Sequence, residues 1–209
     1  MKFYNADFSP NCLRVRAVAN ELGIKLDIVD VDLRKGAPDA MKALNANGKV
    51  PVLDDNGFGL WESRAISAYL AGKDPAKRLY PDDIVKRALI DQWSYWQAIH
   101  LGPAMQKVGF ERAMKKKFGM GEPDESKIVD SVAEIEKFLK VLDSGLGDRD
   151  WIAGDLSIAD FALASTFMFR DAANISLAAV PRVAAWAERL ESRDSWKKAV
   201  APVMAFLAA

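Results

Sequence analysis

The first clear structural signal in the chain is the stretch Phe3–Gly23, "FYNADFSPNCLRVRAVANELG". Its apolar, β-prone start breaks at Ser9-Pro10, and from Cys12 to Leu22 apolar residues return at helical spacing. Proline is favoured at the first helical position, because its missing N–H has no partner to lose there. The stretch therefore predicts a strand, a corner at Ser9 and a helix.

The segments that follow extend this unit to a small α/β domain. The first strand, Met1–Asn5, and a second strand, Leu26–Leu33, flank the helix, so the three form a βαβ unit with parallel strands. The sequence "GKVPVLDDNGFGLW" adds two short strands, Val50–Leu53 and Gly59–Trp61, and its Asn-Gly pair is typical of a hairpin turn. With a further helix after the hairpin, we predict an α/β domain over residues 1–74.

Beyond this domain the strand signals stop. Residues 75–82 form a polar linker with two prolines, and we predict an all-helical domain over residues 83–209. Ser157 and Asp160 have the spacing of a capping box at the start of one of its helices. The predicted helices of this domain are Ile84–Phe118, Lys127–Leu146, Ile158–Ala173, Pro181–Glu191 and Ser195–Leu207.

The composition excludes several classes of function. The 209 residues include 29 basic and 29 acidic side chains, and the basic ones are scattered, so no nucleic-acid partner is expected. No window approaches about 18 uninterrupted apolar residues, so no membrane partner is expected. The single cysteine, Cys12, can build neither an internal disulfide nor a thiolate metal site, which favours a cytoplasmic location and no bound metal.

The corner at Ser9 has the properties of an anion site. A serine before a helix presents its hydroxyl and several free backbone N–H groups, and the helix dipole there stabilises an anion or a thiolate. The simpler interpretation is that Ser9 only caps the helix. A serine nucleophile would need a base, and the only histidine, His100, lies on a long helix beside Trp93 and Trp96, which disfavours a hydrolase triad.

Three longer segments resemble a known family. "SPNCLRVRAVANELGI", "LNANGKVPVLDDNGFGLWESRAISAYLA" and "WIAGDLSIADFALASTF" are similar, in this order and spacing, to the cytosolic glutathione transferases, particularly serine-type groups such as phi, tau and bacterial relatives. The resemblance spans nearly the whole chain. It implies a thioredoxin-like N-terminal domain, an all-helical C-terminal domain, a homodimer, and an enzyme of detoxification that joins the glutathione thiolate to electrophilic, mostly apolar substrates.

The resemblance also implies roles for individual residues. Ser9 matches the serine that donates a hydrogen bond to the glutathione sulfur, and Val50-Pro51 matches the cis-proline element that pairs with the main chain of the tripeptide. Lys49 would meet the glycyl carboxylate, whereas Ser63 would meet the γ-glutamyl carboxylate and Glu62 the γ-glutamyl amine. Without the resemblance, Pro51 would be interpreted as an ordinary strand-starting proline, Lys49 as a solvated lysine and Ser63 as a helix cap.

Two other residues compete with Ser9 as the group that activates the thiol. Tyr4 ends the first strand, near the position where tyrosine-type relatives keep their catalytic hydroxyl, and Cys12 lies one helical turn after Ser9. Asn11 is a further candidate for assisting the sulfur. In phi-type relatives the loop before the third strand often holds a histidine for the glycyl carboxylate. The corresponding segment here, "RKGAPD", has none, so Arg34 or Lys35 could replace it, or Lys49 could act alone.

The electrophile and the reaction stay open at this point. Candidate residues for the electrophile pocket are Phe8, Asn11, Trp96, His100, Met105 and Phe110. Core packing explains Trp96 equally well. The alternatives to a transferase are a related non-catalytic binding or interaction protein, and a glutathione-dependent reductase, peroxidase or isomerase.

Overall fold

The computed structural model describes residues 1–208, which fall into two compact units. The first unit combines Met1–Asp82 with the C-terminal segment from Ser192 onward, and the second unit is Asp83–Glu191. The strands are β1 (Lys2–Asn5), β2 (Asp27–Asp30), β3 (Val52–Asp55) and β4 (Phe58–Trp61). The α-helices are α1 (Pro10–Glu21), α2 (Asp39–Lys42), α3 (Ser63–Lys73), α4 (Ile84–Trp96), α5 (Gly102–Gly109), α6 (Val129–Leu146), α7 (Ile158–Ala164), α8 (Pro181–Glu191) and α9 (Asp194–Ala208).

The first unit contains one four-stranded sheet in the order β2-β1-β3-β4. β1 is parallel to β2 and antiparallel to β3, and β3 is antiparallel to β4. The hairpin predicted at the Asn-Gly pair is confirmed, because Asn56 and Gly57 both have positive φ angles, 55° and 92°, as a two-residue type I′ turn requires. The predicted α/β character of this unit is therefore confirmed.

The last helix belongs to the first unit, which differs from the predicted all-helical domain over residues 83–209. α9 packs against α1, where the Arg16 guanidinium donates to the Ala199 carbonyl at 3.1 Å. Glu21 at the end of α1 accepts hydrogen bonds from Arg193 and Ser195 at the start of α9. Polar groups of α1 thus bind partners that lie near the other end of the sequence. Helical periodicity does not predict such pairs.

Strand boundaries also differ from the sequence prediction, by one to three residues, and two of these differences have a clear cause. β2 ends at Asp30, because Asp32 accepts a hydrogen bond from the Arg34 amide and caps the 3₁₀ turn Leu33–Lys35. β3 begins at Val52 and not at Val50, since Pro51 has no N–H to donate to a neighbouring strand.

Two predicted helices are interrupted. The helix predicted over Ile84–Phe118 contains π turns at Gln97–Leu101 and Phe110–Met114, the first of them just before Pro103, whose ring and missing N–H disturb a regular helix. α7 ends at Ala164 and not at Ala173. The hydroxyls of the next two residues, Ser165 and Thr166, donate to carbonyls three residues back and compete with the backbone ladder.

The predicted capping box of α7, formed by Ser157 and Asp160, is confirmed. Asp160 is fully buried and accepts four hydrogen bonds, from the Ile152 amide at 3.0 Å, the Ser157 amide and hydroxyl at 2.9 Å, and Trp186 Nε1 at 3.0 Å. Burial raises the pKa of the carboxyl, and these donors act in the opposite direction. Asp160 thereby ties the loop before α7 to α8.

A search of residues 1–208 for a helix with the length and apolar character of a membrane span finds none.

Candidate functional site

Three chain segments converge at one end of the sheet. In the strand ladder Tyr4 lies opposite Val52, and Val52 lies opposite Trp61. β3 is antiparallel to both β1 and β4. Three segments therefore leave the sheet at this end: the chain after β1, the chain before β3 and the chain after β4. These segments contain Ser9, Val50-Pro51 and Glu62-Ser63. The residues that were predicted to bind glutathione therefore share one edge of the sheet.

Ser9 is the N-cap of α1, as the sequence predicts. Its backbone is extended, with φ −86° and ψ 120°, and its hydroxyl oxygen accepts from the Cys12 amide at 3.4 Å. The side chain is partly exposed. A hydroxyl that accepts at a helix N-terminus keeps its own hydrogen for donation, and the positive end of the helix dipole favours a negative acceptor.

The two rivals of Ser9 are buried. Tyr4 belongs to a core cluster with Val31, Met41 and Val52. Cys12 is completely buried, and this burial raises the pKa of its thiol to about 11, so the side chain is a neutral thiol near pH 7. The geometry thus favours Ser9 over Tyr4 and Cys12 as the group that meets an external anion.

Ser63 begins α3 and links it to the start of α1. The Arg14 guanidinium donates to the Ser63 hydroxyl at 3.3 Å, and that hydroxyl donates to the Asn11 side-chain oxygen at 3.4 Å. The bond to Asn11 is long, so the hydroxyl can leave it and donate to a stronger acceptor while it still accepts from Arg14. The N-terminal ends of two helices are therefore held side by side by these three residues.

Arg14 is a candidate site residue that the sequence analysis did not identify. Burial lowers the pKa of its guanidinium, yet an arginine stays protonated at neutral pH, so a positive charge lies directly behind Ser63. The sequence carried no signal for it, because the burial of every residue in the run Cys12–Ala19 is visible only in the structure. Charged residues are rarely fully buried without a partner, and Arg14 has one in Ser63.

Glu62 precedes α3 in a strained conformation. Its φ of 70° and ψ of 111° are unusual for any residue other than glycine and cost about 1–3 kcal/mol. Its side chain is exposed and makes no capping hydrogen bond to the helix. The carboxylate is therefore available to an amine at the same end of the sheet as Ser9.

Lys49 and Val50-Pro51 form the third segment of the site. The Val50–Pro51 peptide bond is cis. The Lys49 side chain is exposed and, among residues 1–208, forms no ion pair. Of the alternative cations, Arg34 already donates two hydrogen bonds to the Asp32 carboxylate, at 2.9 and 3.0 Å. Lys49 is thus the better candidate for an external carboxylate.

A buried polar network braces the corner before α1. The Arg16 guanidinium donates to the Asn5 side-chain oxygen and to the Asp7 carbonyl, the latter at 3.2 Å. The Asn5 amide donates in turn to Asp7 at 2.9 Å and to Asp30 at 2.8 Å. The network holds the loop that leads to the N-cap, and it was not foreseen because its members lie on three separate elements.

The candidates for the electrophile pocket are distributed over both units. In the first unit Phe8 packs against Phe206 of α9 with ring centroids 5.3 Å apart, and Asn11 is exposed. In the second unit Trp96 and His100 pack against Phe138 of α6, with ring centroids 5.9 and 5.6 Å from the Phe138 centroid. In the same unit Met105 is buried and Phe110 is exposed. Their part in an electrophile pocket stays a prediction.

Two family models match the sequence. The glutathione S-transferase N-terminal domain covers residues 3–78, and the glutathione S-transferase C-terminal domain covers residues 101–194. A probable glutathione S-transferase of Oryza sativa subsp. japonica is 33% identical over 204 residues, which are 95% of this chain and 94% of the relative. Glutathione S-transferase 3 of Zea mays is 33% identical over 212 residues, covering 97% and 94%.

Solved structures of this family have the same fold. Glutathione S-transferase I from maize, in complex with an atrazine glutathione conjugate, matches with a TM-score of 0.89 and 28% identity over 97% of each chain. Glutathione transferase F7 from Populus trichocarpa matches with a TM-score of 0.88 and 26% identity, over 96% of this chain and 98% of that one. The predicted fold class, a thioredoxin-like N-terminal domain followed by a helical domain, is confirmed. The chain belongs to the glutathione S-transferase family.

Proposed function

We propose that this protein is a glutathione transferase that binds glutathione, favours its thiolate through Ser9 and directs the sulfur onto electrophilic, mostly apolar substrates. The observation that supports this most is the partly exposed Ser9 hydroxyl at the N-terminus of α1, at the same edge of the sheet as Val50-Pro51 and Glu62-Ser63. The names of the relatives agree, as does the glutathione conjugate in the maize structure.

The expected effect of Ser9 on the thiol follows from hydrogen-bond energies. A hydrogen bond to a charged group contributes about 1.5–3 kcal/mol net. At about 1.36 kcal/mol per pKa unit, one such bond to the thiolate lowers the thiol pKa by roughly one to two units. A thiol with an ordinary pKa near 8.5 then titrates at about 6.5–7.5, so much of it is ionised at neutral pH. The dipole of α1 acts in the same direction.

The remaining residues of the edge hold the tripeptide. The backbone of Val50 pairs with the cysteinyl main chain like an added strand, and Lys49 meets the glycyl carboxylate. At the other end, the amides of α3 and the Ser63 hydroxyl bind the γ-glutamyl carboxylate, with the positive charge of Arg14 behind them. The exposed Glu62 carboxylate binds the γ-glutamyl amine. Most of the rate enhancement then comes from holding the glutathione sulfur close to the electrophile and from keeping that sulfur ionised.

Replacing Ser63 by alanine is expected to weaken glutathione binding by about tenfold, because a hydrogen bond to a carboxylate is lost. The rate at saturating glutathione should change little, since the sulfur is not involved. Titration calorimetry with glutathione measures the affinity. Ser67→Ala is the matched control, because it removes a buried hydroxyl one turn later that donates to the Ser63 carbonyl at 2.8 Å. Equal affinity of Ser63→Ala and wild type would remove Ser63 from the site.

A panel of glutathione-dependent reactions separates the proposed function from its alternatives. Aryl halides and isothiocyanates report conjugation, whereas hydroperoxides and mixed disulfides report peroxidase and reductase reactions. A reductase with a thiol of its own would depend on Cys12, whose burial and raised pKa disfavour it. Conjugation that survives in Cys12→Ser supports the proposal. Absence of glutathione binding at millimolar concentration would favour a non-catalytic binding protein.

We also propose a cytoplasmic homodimer with a role in detoxification. The single cysteine fits a reducing compartment. For the dimer, the first unit exposes large apolar side chains at the hairpin, with Phe58 51% and Trp61 41% exposed. In the second unit, the start of α4 exposes Ile84, Val85 and Leu89. A second copy of the chain is the occupant that the family resemblance implies for these surfaces.

The dimer is tested by sedimentation of a hairpin variant. Phe58→Glu places a charge on the exposed ring position beside Tyr69, 5.5 Å away, and is expected to shift the protein to monomers at micromolar concentration. Ile28→Glu is the matched control, because Ile28 is similarly exposed, at 46%, on the edge strand β2. If Phe58→Glu and Ile28→Glu sediment alike as dimers, the hairpin has no part in the interface.

A further inference from the structure

Asn45 has an environment that a loop residue of neutral role would not need. It follows α2, and only 3% of its surface is exposed. Its side-chain amide donates to the Lys49 carbonyl at 2.9 Å. Its side-chain oxygen accepts from the backbone amide of Asn47 at 3.1 Å and from the Asn47 side chain at 3.0 Å. Both polar ends of a buried side chain are therefore used.

The backbone of Asn45 takes part in the same turn. Its amide donates to the Met41 carbonyl at 2.9 Å, and its carbonyl accepts from the Gly48 amide at 2.9 Å. Gly48 has a φ of 64°, a conformation in which glycine is favoured. The turn from α2 to Lys49 is thus organised around Asn45.

The contact with Lys49 has a functional consequence. The Lys49 carbonyl belongs to the peptide group that joins Lys49 to Val50, so fixing this oxygen fixes the orientation of that peptide group. The proposed function assigns the Lys49 side chain to the glycyl carboxylate and the Val50 backbone to the cysteinyl main chain. Of these two groups, the Lys49 side chain is carried by the residue whose carbonyl Asn45 fixes.

We propose that Asn45 is a positioning residue for glutathione, which orients Lys49 toward the glycyl carboxylate of the tripeptide without touching it. This inference rests on the proposed function. The side chain must donate to one carbonyl and accept from an amide at the same time, a combination that an ionised aspartate cannot supply because it has no donor. A serine side chain is too short to reach both partners.

The test compares two ligands on Asn45→Asp and on the wild type. S-methylglutathione contains the glycyl carboxylate, and the dipeptide γ-glutamyl-S-methylcysteine lacks the glycyl residue. We expect Asn45→Asp to bind the tripeptide about tenfold more weakly than the wild type, because an oriented carboxylate contact is lost, and the dipeptide within about twofold. Asn56→Asp is the matched control, because it makes the same exchange at an exposed residue of the hairpin turn, and it should bind both ligands as the wild type does.

A cycle with Lys49 identifies the route of the effect. If Asn45 acts through Lys49, Asn45→Asp in a Lys49→Ala background should weaken tripeptide binding much less than it does alone. Asn45→Ser is the second variant, in case Asn45→Asp folds poorly, and melting temperatures are recorded for both. A residue that only stabilises the fold would lower the melting temperature without distinguishing the two ligands.

The outcomes separate this inference from the proposed function. If the wild type binds S-methylglutathione and both Asn45 variants lose affinity equally for the two ligands, or lose none, the positioning role is wrong and the proposed function stands. If the wild type binds neither ligand, the proposed function is wrong and the positioning role falls with it. Selective loss of tripeptide binding, suppressed in the Lys49→Ala background, supports the inference.

Discussion

Replacing Ser9 by alanine is expected to raise the kinetic pKa of bound glutathione by about one to two units, because the hydrogen bond to the thiolate is worth about 1.5–3 kcal/mol. Below both pKa values, the thiolate fraction falls about tenfold for each unit. The variant should therefore be about 10- to 100-fold slower at mildly acidic pH. Above the raised pKa the two proteins should become similar, since the thiol then ionises without help. The measurement is kcat/KM for glutathione and an aryl halide as a function of pH.

Ser9→Thr is the matched control for this experiment. Threonine keeps a hydroxyl and also caps helices, so its pH profile should stay close to that of the wild type. Ser9→Ala also removes the N-cap of α1, which costs about 1 kcal/mol of stability but shifts no kinetic pKa. An unchanged pH profile in Ser9→Ala, with the expected loss of stability, would leave Ser9 as a cap alone.

Replacing Asp160 by alanine is expected to destabilise the second unit by about 3–5 kcal/mol, because each buried donor left without an acceptor costs about 1–3 kcal/mol. Four donors would lose their acceptor at once, including the ring N–H of Trp186. Much of the stability of a typical domain would be lost. Denaturant unfolding, followed by tryptophan fluorescence and by circular dichroism, measures the change.

Asp130→Ala is the control for this second prediction. Asp130 is an exposed acid in the first turn of α6, and its removal should change the free energy of unfolding by no more than about 0.5 kcal/mol. A similarly small effect of Asp160→Ala would contradict the view that the buried carboxylate ties the loop before α7 to α8.

The elements with local signals were predictable from the sequence. The Asn-Gly pair indicated the hairpin, Ser9-Pro10 indicated the start of α1, and the spacing of Ser157 and Asp160 indicated the capping box. Each of these signals depends on residues within a few positions of one another. Their physical causes, turn geometry and capping of exposed amides, are local as well.

The features that sequence reasoning missed depend on distant partners. Arg14 contacts Ser63, which is 49 positions away, and Arg16 contacts Ala199, which is 183 positions away. The periodicity of a helix does not predict hydrogen bonds between residues so far apart in sequence. A single arginine on a helix usually indicates a solvent-exposed face. Asn45 was overlooked for another reason, because its use is visible only once the turn to Lys49 is formed. Burial was the missing information for the two arginines, and the folded turn was the missing information for Asn45.

The most direct test of the account is the titration of glutathione bound to the wild-type protein, followed by the ultraviolet absorbance of its thiolate. The account predicts an apparent pKa of about 6.5–7.5, below the value of about 8.5 for an ordinary cysteine thiol. Bound glutathione that titrates as it does in free solution would show that no group of the protein stabilises the negative sulfur, and would contradict the central claim.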